Sequence, residues 1–145
     1  MSNPNRVLII AEVGVNHNGQ LALAQEMVDA AAVSDLDYIK FQTATAELVL
    51  TESAPKAEYQ KQTTGETESA MKMIADLQLT YDEFRTLKAH VESRGKKFLS
   101  TAFDLPSVGF LHGLGLRLFK IPSGEITNLP YLRRVAEHAD DIILL

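Results

Sequence analysis

The 145-residue chain has no cysteine, which excludes disulfides and thiolate metal sites and fits a cytoplasmic protein. No run of lysine or arginine exceeds a pair, and the net charge is -5. Nucleic acids and anionic membranes select basic patches, so neither partner is expected. An anionic small molecule stays open, because a few converging lysines can set a local field against the global charge. The only apolar run near the N-terminus, VLII at residues 7–10, is too short for a signal-peptide core or a membrane span. The dinucleotide fingerprint G-x-G-x-x-G is missing, and no two histidines have metal-ligand spacing, so this segment supplies no complete metal site. There is no internal repeat, low-complexity tract or linker. What is present, 46% hydrophobic and 23% charged residues, suffices for one core.

Periodicity gives an alternation of strands and helices. A buried strand is expected at residues 7–11, a helix at 21–33 with Leu23, Met27 and Ala30 or Ala31 inward, and a strand at 37–42. A long insertion follows, residues 43–79, with a short amphipathic helix on Met71, Ile74 and Leu77; connections of this length are usually lids or binding loops. Met71 and Met73 read as packing residues. Thr80 and Glu83 form a capping box before a helix buried through Phe84, Leu87 and Val91 and closed by Gly95. Strands at 97–101, 116–121 and 141–145 are separated by helices starting at Asp104 or Leu105 with Pro106, and at Asn128 with Pro130. The order β-α-β-α-β-α-β-α-β predicts an α/β fold with parallel βα repeats.

In such folds reactive groups collect where strands end and loops begin. The first strand leads into Glu12, the second into Lys40 and Gln42, the third into Thr101 and Phe103, and the fourth into Lys120, Ser123 and Glu125. Alternation puts Ile39 and Phe41 on one side of the second strand and Lys40 and Gln42 on the other. If Ile39 and Phe41 pack on helices, Lys40 points inward, where it needs Glu12, Glu125 or a bound anion to offset its desolvation. The same holds for Lys120. Two lysines with two glutamates suggest a site for a carboxylate or phosphate, with acids available for proton transfer. A purely structural Lys40–Glu12 pair is the simpler alternative for that pair alone. His17, in a polar loop, reads as a loop-ordering residue, and His90, His112 and His138 as surface or packing residues.

Five ordered blocks carry a resemblance: IIAEVGVNHNG at 9–19, IKFQT at 39–43, KAEYQ at 56–60, STAFD at 100–104 and FKIPSGEITNLPYL at 119–132. In these the chain resembles the sialic acid synthase family, which includes legionaminic and pseudaminic acid synthases; Ala102 stands where members commonly have proline. The resemblance implies the N-terminal half of a TIM (β/α)8 barrel, five strands of an incomplete barrel, with the other half and an antifreeze-like C-terminal domain absent. It implies condensation of phosphoenolpyruvate with an N-acetylmannosamine-type sugar to a nine-carbon 2-keto sugar acid, in a cytoplasmic, domain-swapped homodimer. In that scheme C3 of phosphoenolpyruvate attacks the open-chain aldehyde, water attacks C2, and a divalent metal, Mn²⁺ or Mg²⁺, polarises the aldehyde oxygen.

By matching position, Lys40, Lys120 and Ser123 would hold the phosphoenolpyruvate carboxylate and phosphate, and Glu12 and Glu125 would be acid/base and sugar-orienting groups. Gln42, Thr101 and Phe103 would line the pocket and Tyr59 would belong to a lid over the sugar. The metal ligands would lie outside this chain, which is expected to be inactive alone and to expose an associating apolar edge. Two rivals stand beside this reading: a Schiff-base aldolase using Lys40 or Lys120, and a non-catalytic flavodoxin-like binding domain.

Overall fold

A computed structural model of the chain describes residues 6–50 and 70–144. Tyr59 and the KAEYQ stretch lie outside the described residues. In chain order the elements are β1 (Ile10–Gly14), α1 (Leu21–Ala32), β2 (Tyr38–Thr43), α2 (Ala46–Val49), α3 (Ala70–Asp76), α4 (Tyr81–Ser93), β3 (Lys97–Ala102), α5 (Leu105–Gly113) and β4 (Leu118–Ile121), then a 3-10 turn (Ser123–Glu125), α6 (Leu129–Ala136) and β5 (Asp141–Leu144).

The helices start and stop where local chemistry requires. Thr80 Oγ1 accepts from the Glu83 N–H while the Glu83 carboxylate accepts from the Thr80 N–H, so both arms of the predicted capping box form. At the other end of α4, Lys96 N donates to Val91 O and Gly95 N to Glu92 O, with Gly95 at φ +72°. That is the Schellman closure which favours glycine. Asp104 caps α5 and Asn128 caps α6, each followed by a proline in the first turn.

All ladders are parallel: β2 pairs with β1 on one side and β3 on the other, and β4 pairs with β5. β3 and β4 pack side by side without a ladder. Neighbours in sequence are therefore neighbours in space, as in the staves of a (β/α)8 barrel, of which five are present. A flavodoxin-like sheet puts its first strand between the second and third. Here the second strand is central, which removes that alternative.

The strands' alternation sorts their faces. Ile39 and Phe41 of β2, Phe98 of β3, and Phe119 and Ile121 of β4 are buried in one cluster with Ala24 and Val28 of α1, Phe84, Leu87 and Val91 of α4, and Tyr131 and Val135 of α6. The Phe41 and Phe98 rings stack with centroids 5.6 Å apart, and Phe84 meets Phe98 edge-on. The other face carries Lys40, Gln42, Leu99, Thr101 and Lys120.

Four expectations are corrected. The first strand begins at Ile10, not residue 7, and Val7, Leu8 and Ile9 are exposed. The Asp37 carboxylate takes the Ile9 N–H at 2.9 Å, and pairing with β2 starts one residue later at Ile10. Glu12 thus sits within β1 instead of beyond it. The fully buried residues of α1 are Ala24 and Val28; of the expected stripe, Met27 and Ala31 pack partly buried against the same core while Ala30 is exposed. The fourth strand starts at Leu118, after Leu116 and Arg117. The 43–79 insertion carries α2 besides the expected amphipathic helix, whose buried residues are Ala70 and Met73, not Met71.

Candidate active site

Glu12 and Lys40 are register partners across the β1–β2 ladder, so their side chains leave the sheet together. Lys40 Nζ lies 2.8 Å from Glu12 Oε2 and donates to Thr101 Oγ1 at 3.2 Å. Lys40 is 3% exposed, while the Glu12 side chain is 53% exposed. The glutamate stands open to solvent and the ammonium is sunk beneath it. Burial pushes the Lys40 pKa below its ordinary value, Glu12 pulls it back up, and the nearby Lys120 charge lowers it further. Lys40 is thus paired with Glu12 while a second cation, Lys120, acts on it from the fourth strand.

Lys120 is half-buried between the buried Phe119 and Ile121, on the same inward parity as Lys40. Among the described residues it has no hydrogen-bond or ion-pair partner. Ser123 opens the 3-10 turn and is exposed. Thr101 is 1% exposed and reaches Lys40 directly.

The bulge between Glu12 and Gly14 turns the chain with Gly14 at φ +61°. A Cβ there would lie 3.3 Å from Glu12 Oε1 and 3.5 Å from Gln42 Nε2, so these two side chains flank the same backbone. Gln42 and Phe103 both line a cleft of about 290 Å³ against α3. Phe103 also borders a second cleft, of about 410 Å³, that contains Glu125, Asn128 and Tyr131.

Glu12, Lys40 and Thr101 come into contact, Gln42 flanks Glu12 at Gly14, and the charge of Lys120 reaches Lys40. Glu125 does not join them. Its Oε2 accepts from Asn128 Nδ2 at 2.6 Å, inside the 3-10 turn and helix cap that follow β4. Counter-charge for Lys40 comes from Glu12 alone among the described residues.

Supporting groups lie beneath these exits. Asp104, buried, accepts from Thr45 N at 2.7 Å, Ser107 N at 2.6 Å and Ser107 Oγ at 2.8 Å, tying the β2 exit to the start of α5. Sequence reading sees Asp104 only as a cap; its second partner is 59 residues away. Tyr131 Oη donates to Ala102 O at 2.8 Å and Gln78 Oε1 accepts from Ala44 N at 3.1 Å. Tyr131 has a legible signal, four residues before Val135 on the inward stripe of α6, whereas Gln78 has none. Burial, then the Glu125 and Asp104 charges, push the Tyr131 phenol well above its usual range, keeping it a neutral donor.

His17 is fully buried beneath the β1–α1 loop. Its Nδ1 accepts from Gly19 N at 3.2 Å, as expected of a loop-ordering residue, and Nε2 has no partner among the described residues. His112 and His138 stack 4.1 Å apart and His90 pairs with Asp29 at 2.7 Å. Among the described residues no three His, Cys, Asp or Glu side chains gather as a metal site, so the residues present do not fit a complete one. No helix of the described residues is long and apolar enough to cross a membrane.

Comparison with known proteins fits this geometry. The chain is 48% identical over 139 residues to N,N'-diacetyllegionaminic acid synthase of Campylobacter jejuni, covering 96% of this chain and 42% of that protein. It is 45% identical over 136 residues to N,N'-diacetyllegionaminic acid synthase of Legionella pneumophila, covering 94% and 38%. Among solved structures, the N-acetylneuraminic acid (sialic acid) synthetase of Leptospira borgpetersenii in complex with citrate superposes with a TM-score of 0.77 at 29% identity, covering 99% of this chain and 48% of that one. The chain therefore spans less than half the length of these relatives. The NeuB family profile matches residues 27–145, and with these identities it establishes that the chain belongs to the NeuB family.

Proposed function

We propose that this chain carries most of the phosphoenolpyruvate site of a synthase that joins phosphoenolpyruvate to an N-acetylmannosamine-type sugar, giving a nine-carbon 2-keto sugar acid. The observation that carries the reading is the excess of cation at the strand exits. Lys40 is buried against Glu12 and feels the charge of Lys120, which has no partner of its own among the described residues. A buried ammonium paired with one carboxylate and acted on by a second cation would be further stabilised by an added anion.

In this reading Lys40, Lys120 and Ser123 hold the carboxylate and phosphate. Thr101 fixes the Lys40 ammonium, Glu12 serves as acid/base group, and Glu125 orients the sugar from the neighbouring cleft, with Gln42 and Phe103 between them. Phosphoenolpyruvate C3 forms the new bond to the sugar aldehyde carbon, water adds at C2, and phosphate leaves. Tyr59, outside the described residues, belongs to a lid over the sugar. The Mn²⁺ or Mg²⁺ ligands, the remaining barrel strands, the antifreeze-like domain and the homodimer contacts are assigned to residues beyond this chain, and the whole protein to the cytoplasm. The relatives named as synthases support the reaction class.

In the full-length protein, Lys40→Ala and Lys120→Ala should each raise the phosphoenolpyruvate KM by about tenfold or more, with the sugar KM changed less than about threefold. Equal changes in both would refute the assignment. Glu125→Gln should lower kcat while thermal stability stays unchanged. A Schiff-base aldolase would be trapped covalently by borohydride with substrate; no adduct is expected, because the proposed reaction joins phosphoenolpyruvate and the sugar directly, with no enzyme amine in the bond made.

A further inference from the structure

We infer that Asp104 is a positioning residue for the sugar: by holding the Thr45 N–H, its carboxylate sets where α2 and Phe103 stand around the cleft that contains Glu125. The inference rests on the function proposed above. A helix cap needs one oxygen, and asparagine or serine supplies it as well as aspartate does. Asp104 uses both of its oxygens. Oδ1 accepts from Ser107 N at 2.6 Å, which is the cap of α5, while Oδ2 accepts from Thr45 N at 2.7 Å and from Ser107 Oγ at 2.8 Å. Thr45 is the residue before α2, and its own side chain caps nothing. The carboxylate is 6% exposed, so the tether between positions 45 and 104 forms with little competition from water.

What the tether holds is a wall of the cleft. α2 follows Thr45 at once, and its Leu48 and Val49 line the cleft together with Phe103 and Glu125. Phe103 directly precedes Asp104 and borders the cleft against α3 as well. Its backbone is fixed from three elements: Ala102 O accepts from Tyr131 Oη of α6 at 2.8 Å, Phe103 N donates to Thr43 O of β2 at 3.0 Å, and Asp104 reaches Thr45. Gln78 Oε1 holds the neighbouring Ala44 N–H at 3.1 Å. Two successive N–H groups of the β2 exit are therefore tied to later parts of the chain. Lys40 and Thr101 are set instead by the β1–β2–β3 ladders and by Glu12. Loosening the tether moves the sugar's side of the site and leaves the anion side in place.

Asp104→Asn separates the cap from the tether. Ser107 N–H and Thr45 N–H face different oxygens of the carboxylate, so an amide can meet only one of them; with its oxygen turned to Ser107 the cap is kept and Thr45 is released. The test uses the full-length protein, following phosphate release from phosphoenolpyruvate with N-acetylmannosamine or its 4-acetamido-4,6-dideoxy analogue, and amide exchange in residues 44–49. Asp104→Asn should speed that exchange and raise the sugar KM by about fivefold or more, with the phosphoenolpyruvate KM kept within about twofold. Ser107→Ala removes the hydroxyl but keeps the Thr45 bond; it should lower the melting temperature without moving either KM beyond about twofold. Gln78→Met frees the Ala44 N–H and should act in the same direction as Asp104→Asn, and it decides the matter if thermal melts show Asp104→Asn to be misfolded. An unchanged sugar KM in the folded variant, or one that shifts together with the phosphoenolpyruvate KM, would overturn the inference and leave Asp104 a helix cap. If the wild type releases no phosphate with either sugar, the functional reading itself fails and the inference with it.

Discussion

A buried lysine is stable only in company, and Lys40 shows what that company is. Glu12→Gln removes its single counter-charge among the described residues and should destabilise the protein by about 1–2 kcal/mol, less than the loss of a fully buried partner because Glu12 is half in water. Phosphate or sulfate should restore part of the melting temperature of that variant more than they raise the wild type; no difference would count against an anion site. His17 and His112 give a pH signature. Burial holds both imidazoles below their ordinary pKa, with Arg117, His138 and Arg134 adding to the effect at His112. The folded state therefore resists protonation. This stability is complete above the unfolded histidine value of about 6.5 and is lost as pH falls below it. Melting temperature should drop from pH 7 to 5.5, and His17→Asn should flatten that drop; an unchanged slope would show that His17 is not responsible.

At the scale of elements, two glycines with nearly the same φ have different roles. Gly95, at +72°, has nothing within 4 Å of a Cβ, so Gly95→Ala costs only the left-handed conformation, about 1–2 kcal/mol. Gly19, at +69°, meets the Asp76 carbonyl at 2.2 Å. Gly19→Ala must push α3 away as well, and amide exchange should show lost protection in residues 70–76 for Gly19→Ala but not for Gly95→Ala. The same contact requires glycine at position 19 of the β1–α1 loop, whose Val15 lines the cleft on which Gln42 and Phe103 open.

At the scale of the molecule, the outer strands carry the consequence of five staves. Val7, Leu8 and Ile9 before β1 are 78%, 53% and 52% exposed, and Ile142 and Leu144 of β5 are 46% and 58% exposed. Isolated strand edges with such side chains recruit other chains. The 145-residue chain on its own should sediment as a concentration-dependent oligomer, and a clean monomer at high concentration would contradict this.

The order of elements, the α4 capping box and its Gly95 closure, and the inward parity of Lys40 were legible in the chain, because each depends on residues a few positions apart. Even the pairing of Lys40 with a glutamate could be expected, since a buried ammonium requires one. The start of β1 was not legible: Val7, Leu8 and Ile9 look as strand-like as their successors, and the Asp37 carboxylate 28 residues from Ile9 fixes where pairing begins. Which glutamate meets Lys40 was also left to the fold. Ladder register gives Glu12 to Lys40, whereas the turn after β4 delivers Glu125 to Asn128 instead. Local sequence determines where elements start, stop and face, through short-range hydrogen bonds and periodicity. Only tertiary packing decides which distant side chains share a cleft, because that depends on register and on close backbone contacts such as Gly19 against Asp76.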